Sequence, residues 1–265
     1  MDYSCFAGQV VVITGAGGEL GGGTAMEVAR NGANLALIDI HQGRLAETVT
    51  KLQAEGVDDS RILHMVGDVT KADQVQAFVD SISQKFGKTN VLVNVVGAKR
   101  IKILQNMTEE DFDWCWDGNV RSTMLMTKAC LPMLKESKGN VVNITSVSGQ
   151  RPVWGALPYA MAKAAVDQFT RCTSQELAPH GVRVNAVSPG ALESRFNIRF
   201  GDIFQTEEQL AKYFDIAGRS IPIGYMGTWR DVVPTIVFLA SDRAEFVTGA
   251  VVAVDGGYVN TCNVP

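Results

Sequence analysis

The sequence has no hydrophobic run long enough to cross a bilayer and no excess of positive charge. Apolar stretches such as NVVNI and AVVAV are among its longest, whereas a membrane-spanning helix needs about 20 apolar residues. The 265-residue chain has a formal net charge of −4, so it has no general basic field that would attract nucleic acid. We therefore expect neither membrane insertion nor a nucleic-acid partner.

The patterns of metal sites and disulfide frameworks are also missing. The five cysteines are scattered without a CxxC pair, and the three histidines (His41, His64 and His180) are far apart in sequence. Such spacing is not typical of metal ligands or paired disulfides. The N-terminal segment lacks the basic start of a signal peptide. These absences predict that there is no metal cofactor and that the protein works in a reducing compartment, the cytoplasm.

Short β-rich runs alternate with longer helical patterns along the whole chain. Most of the runs are nearly continuously apolar, as expected of strands covered on both faces. The alternation predicts an α/β fold, a single Rossmann-type doubly wound parallel sheet of about seven strands with helices on both faces, in one domain over residues 1–265. The predicted strands are 10–14, 34–39, 62–66, 90–94, 140–145, 182–187 and 250–254, and the predicted helices are 20–31, 43–55, 71–86, 109–135, 158–178 and 230–239.

One segment interrupts this alternation with mixed aromatic, basic and acidic residues. It lies between the sixth and seventh predicted strands, and we assign residues 192–228 to a substrate-loop or lid insertion within the domain. Because loops near a rigid sheet often carry binding residues, this segment is expected to contribute to substrate choice.

The segment TGAGGELGGG, between the first strand and the first helix, contains six glycines. Glycines at this position let the backbone approach a pyrophosphate, and the helix N-terminus supplies amides and a positive dipole end. A glycine-rich turn can also simply connect a strand to a helix. Its place after the first strand favours a dinucleotide site.

A carboxylate, Glu19, stands in the middle of this glycine loop. At the start of a helix, an acidic side chain interacts favourably with the dipole. We hypothesise that the Glu19 side chain points away from the pyrophosphate and that the loop still binds dinucleotide. The alternative is that the carboxylate obstructs the site.

Asp39 ends the second predicted strand, and Ile40 follows it. An acid at this position can accept hydrogen bonds from the adenosine ribose and repel a 2′-phosphate. No basic residue follows until Arg44, so the sequence favours NAD(H) over NADP(H). A simple turn or capping role for Asp39 is the alternative.

Tyr159 and Lys163 are four residues apart and share one face of a predicted helix. A nearby ammonium should lower the pKa of a tyrosine from its usual value of about 10, so that the phenol can act as a general acid or base. Ser146 directly follows the predicted strand NVVNIT, at the expected carboxyl edge of the sheet.

These motifs resemble those of the short-chain dehydrogenases/reductases, NAD(P)-dependent oxidoreductases with a single Rossmann domain. The segments TGAGGELG, NVVG, YAMAK and SPGALES resemble the family's TGxxxGxG, NNAG, YxxxK and nicotinamide-loop motifs. Asp68 matches the acid that binds the adenine amino group, while Asn119 and Ser146 match the remaining catalytic positions. The resemblance covers essentially the whole sequence.

The resemblance implies hydride transfer between nicotinamide and a secondary alcohol or ketone, an activity of class EC 1.1.1.-, in a homotetramer or homodimer. Tyr159 would be the general acid/base, Ser146 would hold the substrate oxygen, and Lys163 would lower the pKa of Tyr159 and bind the nicotinamide ribose. Asn119 would support a water-mediated proton path. The implied cofactor contacts are Gly15, Gly18, Glu19, Leu20, Gly21, Asp39, Ile40, Asp68, Val69, Asn94, Val95, Gly97, Tyr159, Lys163, Pro189, Gly190, Leu192 and Ser194.

Four departures from the family's patterns concern the cofactor side more than the chemistry. Glu19 stands at the usual middle glycine, and Val95 with Val96 replaces part of NNAG. Ser194 replaces the usual Thr, and Tyr225 replaces a frequent Arg. None of them affects the four catalytic positions.

The sequence leaves the substrate open among secondary alcohols, 3-hydroxyacyl thioesters, steroids and polyols. Ser146, Tyr159 and the aromatic Trp154 are candidate substrate contacts, although the loop aromatics can equally pack the lid onto its own domain. The basic residues of these loops can meet an anionic substrate group or simply be solvated; they are Lys99, Arg100, Lys102, Arg151, Arg195 and Arg199. A non-catalytic dinucleotide-binding regulator on the same fold is the alternative function.

Overall fold

The computed structural model describes residues 4–194 and 207–261. Its strands are β1 (Val10–Thr14), β2 (Asn34–Asp39), β3 (Ile62–Val66), β4 (Val91–Asn94), β5 (Asn140–Ile144), β6 (Arg183–Pro189) and β7 (Val251–Val254). Its α-helices are α1 (Glu19–Arg30), α2 (Gln42–Ala54), α3 (Ala72–Phe86), α4 (Glu109–Trp116), α5 (Ser122–Ser137), α6 (Leu157–Leu177), α7 (Glu207–Arg219) and α8 (Trp229–Ala240). The boundaries of the predicted elements differ from these by at most two residues, apart from one interrupted helix.

The described strands form one parallel sheet in the order β3-β2-β1-β4-β5-β6-β7. In its centre, Val12 of β1 pairs with Ala36 of β2 on one side and with Leu92 of β4 on the other. The chain builds half of the sheet outward from β1 to β3, returns, and builds the other half from β4 to β7. The predicted fold class is therefore confirmed. Open sheets of this kind bind ligands outside the carboxyl ends of the strands, where the order reverses.

Helices cover both faces of the sheet, which explains why the strands are nearly continuously apolar. Val11 and Ile13 of β1 are buried in a core shared with α1, α2 and α8. The alternate residues, Val10 and Val12, are buried in a second core shared with α3 and α5. Within residues 4–194 and 207–261, no helix combines the length and apolar character that crossing a membrane requires.

The predicted helix over residues 109–135 is interrupted by a π-helical turn, Asp117–Arg121, between α4 and α5. A π turn inserts one extra residue and often marks a functional site. The sequence pattern does not reveal the insertion, because helical residues continue on both sides of it. Asn119 lies within this turn and is fully buried.

Helices α1 and α8 approach closely at a glycine. A Cβ atom added to Gly23 would lie 2.4 Å from Cε3 of Trp229, a separation well inside van der Waals contact. The last glycine of the loop motif therefore serves the packing of these two helices.

The two ends of the segment predicted as a lid insertion contact each other. Leu192 forms an isolated β-bridge with Gly227, and the Glu193 N–H donates to the Gly227 carbonyl at 2.8 Å. Helix α7 belongs to this segment, while its residues 195–206 lie outside the described part of the chain.

Candidate active site

A cavity of about 1150 Å³ follows the carboxyl edge of the sheet. Its wall includes Ser146, Tyr159 and Lys163, so it contains three of the four predicted catalytic residues. All but one of the predicted cofactor contacts also line it, namely Gly15, Gly18, Glu19, Leu20, Gly21, Asp39, Ile40, Asp68, Val69, Val95, Gly97, Tyr159, Lys163, Pro189, Gly190, Leu192 and Ser194.

The glycine loop forms one end of the cavity and leads directly into α1. Gly15 has a positive φ of 66°, a conformation that favours glycine. A Cβ atom at Gly21 would lie 2.3 Å from the Gly15 carbonyl oxygen, so only glycine lets the first turn of α1 close against the strand end. The resulting recess is lined by the N-terminal turn of a helix, whose first amides have no intrahelical acceptor. Such a recess fits a phosphate group.

Glu19 is the first residue of α1 and is exposed at the edge of the cavity. Its N-cap is Gly18, which has no side chain with which to cap the helix. A carboxylate in the first turn stabilises the helix dipole, as the sequence suggested. The hypothesis that Glu19 leaves dinucleotide binding intact stays a prediction.

The side chain of Asp39, the last residue of β2, is hydrogen-bonded to the glycine loop. Its Oδ2 accepts from the Gly17 N–H at 2.9 Å, and its Oδ1 accepts from the His41 N–H at 2.8 Å. The carboxylate is buried yet still lines the cavity. Because α2 begins at Gln42, Arg44 lies in its first turn and also lines this end of the cavity. The sequence interpretation named Arg44 only as the first basic residue after Asp39 and gave it no role in the cavity.

Asp68 also lines the cavity, two residues after the end of β3. Its Oδ1 accepts from both the backbone N–H and the hydroxyl of Thr70, at 2.9 and 2.8 Å. These bonds fix the carboxyl group in a short turn before α3. The turn also places Val69 on the cavity wall.

Asn94 does not line the cavity, unlike the other predicted cofactor contacts. Its Nδ2 donates to Asn143 Oδ1 at 2.9 Å and to Thr127 Oγ1 at 3.2 Å, so the side chain connects β4 to β5 and α5. The next two residues are held by their backbones, because the N–H groups of Val95 and Val96 donate to Thr14 Oγ1. Because only backbone N–H groups take part, valines can replace the usual NNAG residues without loss of these contacts.

Tyr159 and Lys163 occupy the first turns of α6, and both are buried. Lys163 Nζ donates to the Ile144 carbonyl at 2.7 Å and lies 5.6 Å from the centroid of the Tyr159 ring. Ser146, just past β5, is a side-chain hydrogen-bond partner of Tyr159. Its Oγ also accepts from the Ser148 N–H at 3.2 Å. A hydroxyl, a phenol and an ammonium group therefore meet at one point of the wall.

Burial controls the acid–base properties of this cluster. It raises the pKa of Tyr159, and the hydrogen bond from Ser146 opposes the increase only in part. The sequence predicted the opposite direction because it considered the ammonium of Lys163 without the desolvation of the phenol. Burial also lowers the pKa of Lys163 to about 8, against the opposing charge of Asp167.

Asn119 lies behind the cavity wall and does not line it. Its Nδ2 donates to the carbonyls of Ala98 and Cys115, at 2.6 and 2.7 Å. Its Oδ1 is buried and has no hydrogen-bond donor among the described residues. Buried amide oxygens normally accept a hydrogen bond from protein or water.

The structure does not place Trp154 in the cavity. The side chain is 87% exposed, because it lies in a turn that precedes Gly155, a residue with a positive φ of 75°. The neighbouring Val153 lines the cavity instead, together with Trp114 and Tyr258. The sequence analysis missed these three residues, since none of them belongs to a recognisable motif.

Comparisons with known proteins agree with this arrangement over nearly the whole chain. A family model described as enoyl-(acyl carrier protein) reductase matches residues 15–259. The 3-oxoacyl-[acyl-carrier-protein] reductase of Thermotoga maritima is 36% identical over 253 residues, which are 95% of this chain and 98% of the relative. 2-(S)-hydroxypropyl-CoM dehydrogenase 3 of Xanthobacter autotrophicus is 36% identical over 256 residues, 94% of this chain and 96% of the relative. A solved short-chain dehydrogenase/reductase of unknown function from Caenorhabditis elegans, with cofactor, aligns with a TM-score of 0.90, 32% identity and 98% of each chain covered.

The chain belongs to the short-chain dehydrogenase/reductase family. It is therefore a hydride-transfer oxidoreductase of a family that binds a nicotinamide cofactor. The residues present fit such a cofactor, because the glycine recess and the acids Asp39 and Asp68 lie at one end of the cavity that Tyr159 and Lys163 line at the other. The cavity thus has one end that suits the nucleotide and another that contains the candidate catalytic residues.

Proposed function

We propose that this protein is an NAD(H)-dependent oxidoreductase that interconverts a secondary alcohol and a ketone, with Tyr159 as the general acid/base. The observation that carries the proposal is the meeting of Tyr159, Ser146 and Lys163 on the wall of the cavity that the glycine recess also lines. When bound, the nicotinamide supplies or accepts the hydride. The protein contributes positioning and proton transfer.

Tyr159 donates the proton to the carbonyl oxygen during reduction and accepts it during oxidation. Its raised pKa keeps the phenol protonated at neutral pH, which suits the donor role in reduction. Ser146 is next to the phenol, so its hydroxyl can hold the same substrate oxygen. The two groups together fix that oxygen and stabilise the charge that develops on it.

Lys163 and Asn119 support the proton transfer in this proposal. The Lys163 ammonium, held by the Ile144 carbonyl, favours the phenolate of Tyr159 and binds the nicotinamide ribose. Asn119 Oδ1, a buried acceptor, orders water on a proton path towards Lys163.

Asp39 is the residue that gives the preference for NAD(H). Its buried carboxylate lines the nucleotide end of the cavity, so a 2′-phosphate there would meet a fixed negative charge. Arg44 on the same wall is the residue that would favour NADP(H) instead, and the two cofactors therefore need to be compared directly.

The assembly and location follow from the same family. We infer a homodimer or homotetramer, supported by the exposed apolar side chains of Trp114, Met124 and Met161. We also infer a cytoplasmic location, supported by the free thiols of Cys115, Cys130 and Cys172. Light scattering after gel filtration measures the oligomeric state.

Replacing Tyr159 with phenylalanine tests the central proposal. Tyr159→Phe removes only the hydroxyl, so NADH binding measured by fluorescence should be retained while turnover falls by about 10²–10⁴-fold. Tyr225→Phe is the matched control, because Tyr225 is exposed and does not line the cavity.

The substrate panel should contain secondary alcohols, polyols, steroids and 3-oxoacyl thioesters, assayed with NAD(H) and NADP(H). A 3-oxoacyl thioester belongs in the panel because of the name of the Thermotoga maritima relative. Wild-type protein that binds NADH and converts none of these would support the alternative, a non-catalytic dinucleotide-binding regulator. Near wild-type turnover by Tyr159→Phe would reject the assigned general acid/base.

A further inference from the structure

The turn that follows β7, which we call the β7 turn, is attached to two neighbouring segments of the chain. It is a short 3₁₀ turn over Tyr258–Asn260. Asp255 Oδ2, just past the strand, accepts from the Val259 N–H at 2.6 Å. The Ile223 N–H, near the end of the insertion, donates to the Gly256 carbonyl at 3.2 Å. Because these bonds involve backbone groups, the position of the turn is fixed by the fold.

Arg151, in the loop that follows Ser146, is a third attachment of the β7 turn. Its Nη1 donates to the Tyr258 carbonyl and, at 2.5 Å, to Thr261 Oγ1. Its guanidinium carbon lies 4.4 Å from the centroid of the Tyr258 ring, a separation that favours a cation–π interaction. One side chain therefore holds both the backbone and the ring of Tyr258.

Tyr258 lines the cavity, and the order of the strands places it near the candidate catalytic residues. β7 forms the edge of the sheet opposite β3. Asp39 ends β2 and Asp68 lies just past β3, whereas Ser146 lies just past β5, two strands from β7. Tyr258 is therefore on the side of Ser146 that faces away from the nucleotide end.

The side chains on this side suit an apolar group. Val153, two residues after Arg151, lines the cavity as Tyr258 does, and both residues are half-buried. Because the guanidinium covers one face of the Tyr258 ring, the ring stays in place when the cavity is empty. Each methylene of a ligand that is buried against such a wall strengthens binding by about fourfold.

We propose that Tyr258 is a specificity-determining residue which Arg151 positions, so that the substrate carries an alkyl or aryl substituent on its reacting carbon. The proposal rests on the proposed function and specifies its substrate class. The substituent lies against Tyr258 and Val153 while the reacting oxygen is held by Ser146 and Tyr159. A polyol suits this wall poorly, because its hydroxyls would lose water without gaining hydrogen-bond partners there.

Ketones that differ only in the length of one alkyl chain test the role of Tyr258. With NADH, kcat/KM of the wild type should rise by about tenfold or more from 2-butanone to 2-octanone. Tyr258→Ala should lose this increase through a higher KM for the longer ketone. Tyr258→Phe should retain it, because the ring remains. A wild type that reduces polyol-derived ketones better than 2-octanone would overturn the proposed substrate class.

Arg151→Met tests the positioning role. It should raise KM for 2-octanone while KM for 2-butanone changes little, since only the longer chain reaches Tyr258. Arg61→Met is the matched control, because Arg61 also donates to backbone carbonyls, those of Ala29 and Ala33, and does not line the cavity. The control should keep the preference for the longer ketone. An equal loss of kcat for both ketones in Arg151→Met would show a merely structural role and overturn the positioning by Arg151.

A binding measurement separates this proposal from the proposed function. Acetamide and hexanamide resemble ketones and are not reduced, so calorimetric titration with each, in the presence and absence of NADH, reports binding alone. Wild type should bind hexanamide about tenfold tighter or more, and Tyr258→Ala should bind the two amides equally. Tighter binding of hexanamide without turnover of any ketone would leave Tyr258 assigned and reject the oxidoreductase function. Equal binding of the two amides by wild type, or an undiminished difference in Tyr258→Ala, would overturn the role of Tyr258.

Discussion

The charged groups of the cavity are held mainly by backbone atoms. Lys163 donates to the Ile144 carbonyl, and Asp39 accepts from the N–H groups of Gly17 and His41. Backbone groups at strand ends and in tight turns move little, so these charges are in place before a ligand binds. Such preorganisation is the main electrostatic advantage of an enzyme site over water.

Changing the charge at Asp39, next to the proposed site of the adenosine ribose, should change the cofactor preference. Asp39→Ser combined with Ile40→Arg removes the repelling carboxylate and adds a cation at the exposed neighbour, so the ratio of kcat/KM for NADPH over NADH should rise by about tenfold or more. Ile40→Arg alone is the control that retains the carboxylate. A wild-type preference for NADPH would contradict the assignment of Asp39.

The lowered pKa of Lys163 predicts an alkaline limit to activity. Its ammonium has a pKa of about 8, below the ordinary value for lysine, so it is charged below that pH and neutral above it. Since the proposed role of the charged form is to favour the Tyr159 phenolate and to bind the ribose, kcat/KM should be constant below about pH 8 and fall above it. The pH profile of kcat/KM reports the groups of the free enzyme.

Lys163→Arg tests whether this limit belongs to Lys163. A guanidinium stays protonated through the alkaline range, so the residual activity of the variant should no longer fall near pH 8. An unchanged alkaline limit in Lys163→Arg would assign the titration to another group.

At the scale of the elements, single residues within helices determine how the helices meet. Gly23 lets α1 approach Trp229 of α8, and the π turn Asp117–Arg121 turns Asn119 inward between α4 and α5. Gly23 can be found in the sequence, but only the structure shows that it packs against Trp229. The π turn could not be predicted, because one extra residue in a helix barely changes the pattern of its apolar residues.

Replacing Gly23 with alanine should destabilise the fold. The added methyl group would overlap the Trp229 ring, and overpacking of a core typically costs about 1–3 kcal/mol. Gly43→Ala is the matched control within α2, since its Cβ would meet no atom within 4 Å. That variant should gain up to about 1 kcal/mol from helix propensity. Urea denaturation measures both changes, and a Gly23→Ala protein as stable as wild type would contradict the packing assignment.

At the scale of the whole molecule, the doubly wound parallel sheet and the position of the glycine loop could be predicted, whereas the substrate end could not. Continuous apolar runs predicted each strand, because a parallel sheet covered on both faces needs such runs. Tyr159 and Lys163 could be paired because they lie on one helix. Trp154 was selected as an aromatic residue near the site, yet it projects from a turn into solvent. Val153 and Tyr258 reach the cavity from separate loops, and no local pattern indicates where such loops point.

The paired ends of the insertion have a consequence for how this protein has diverged. Leu192 and Glu193 meet Gly227 side by side, so the two ends of the insertion are held together next to β6 and α8 independently of the length of the chain between them. We expect substitutions there to change substrate choice, while Ser146 stays just past β5 and Tyr159 and Lys163 stay on α6. Two relatives, each 36% identical to this chain, have names that refer to an acyl-carrier-protein reductase and a hydroxypropyl-CoM dehydrogenase. An insertion whose two ends are held together in this way can exchange its residues while those of the chemistry keep their places.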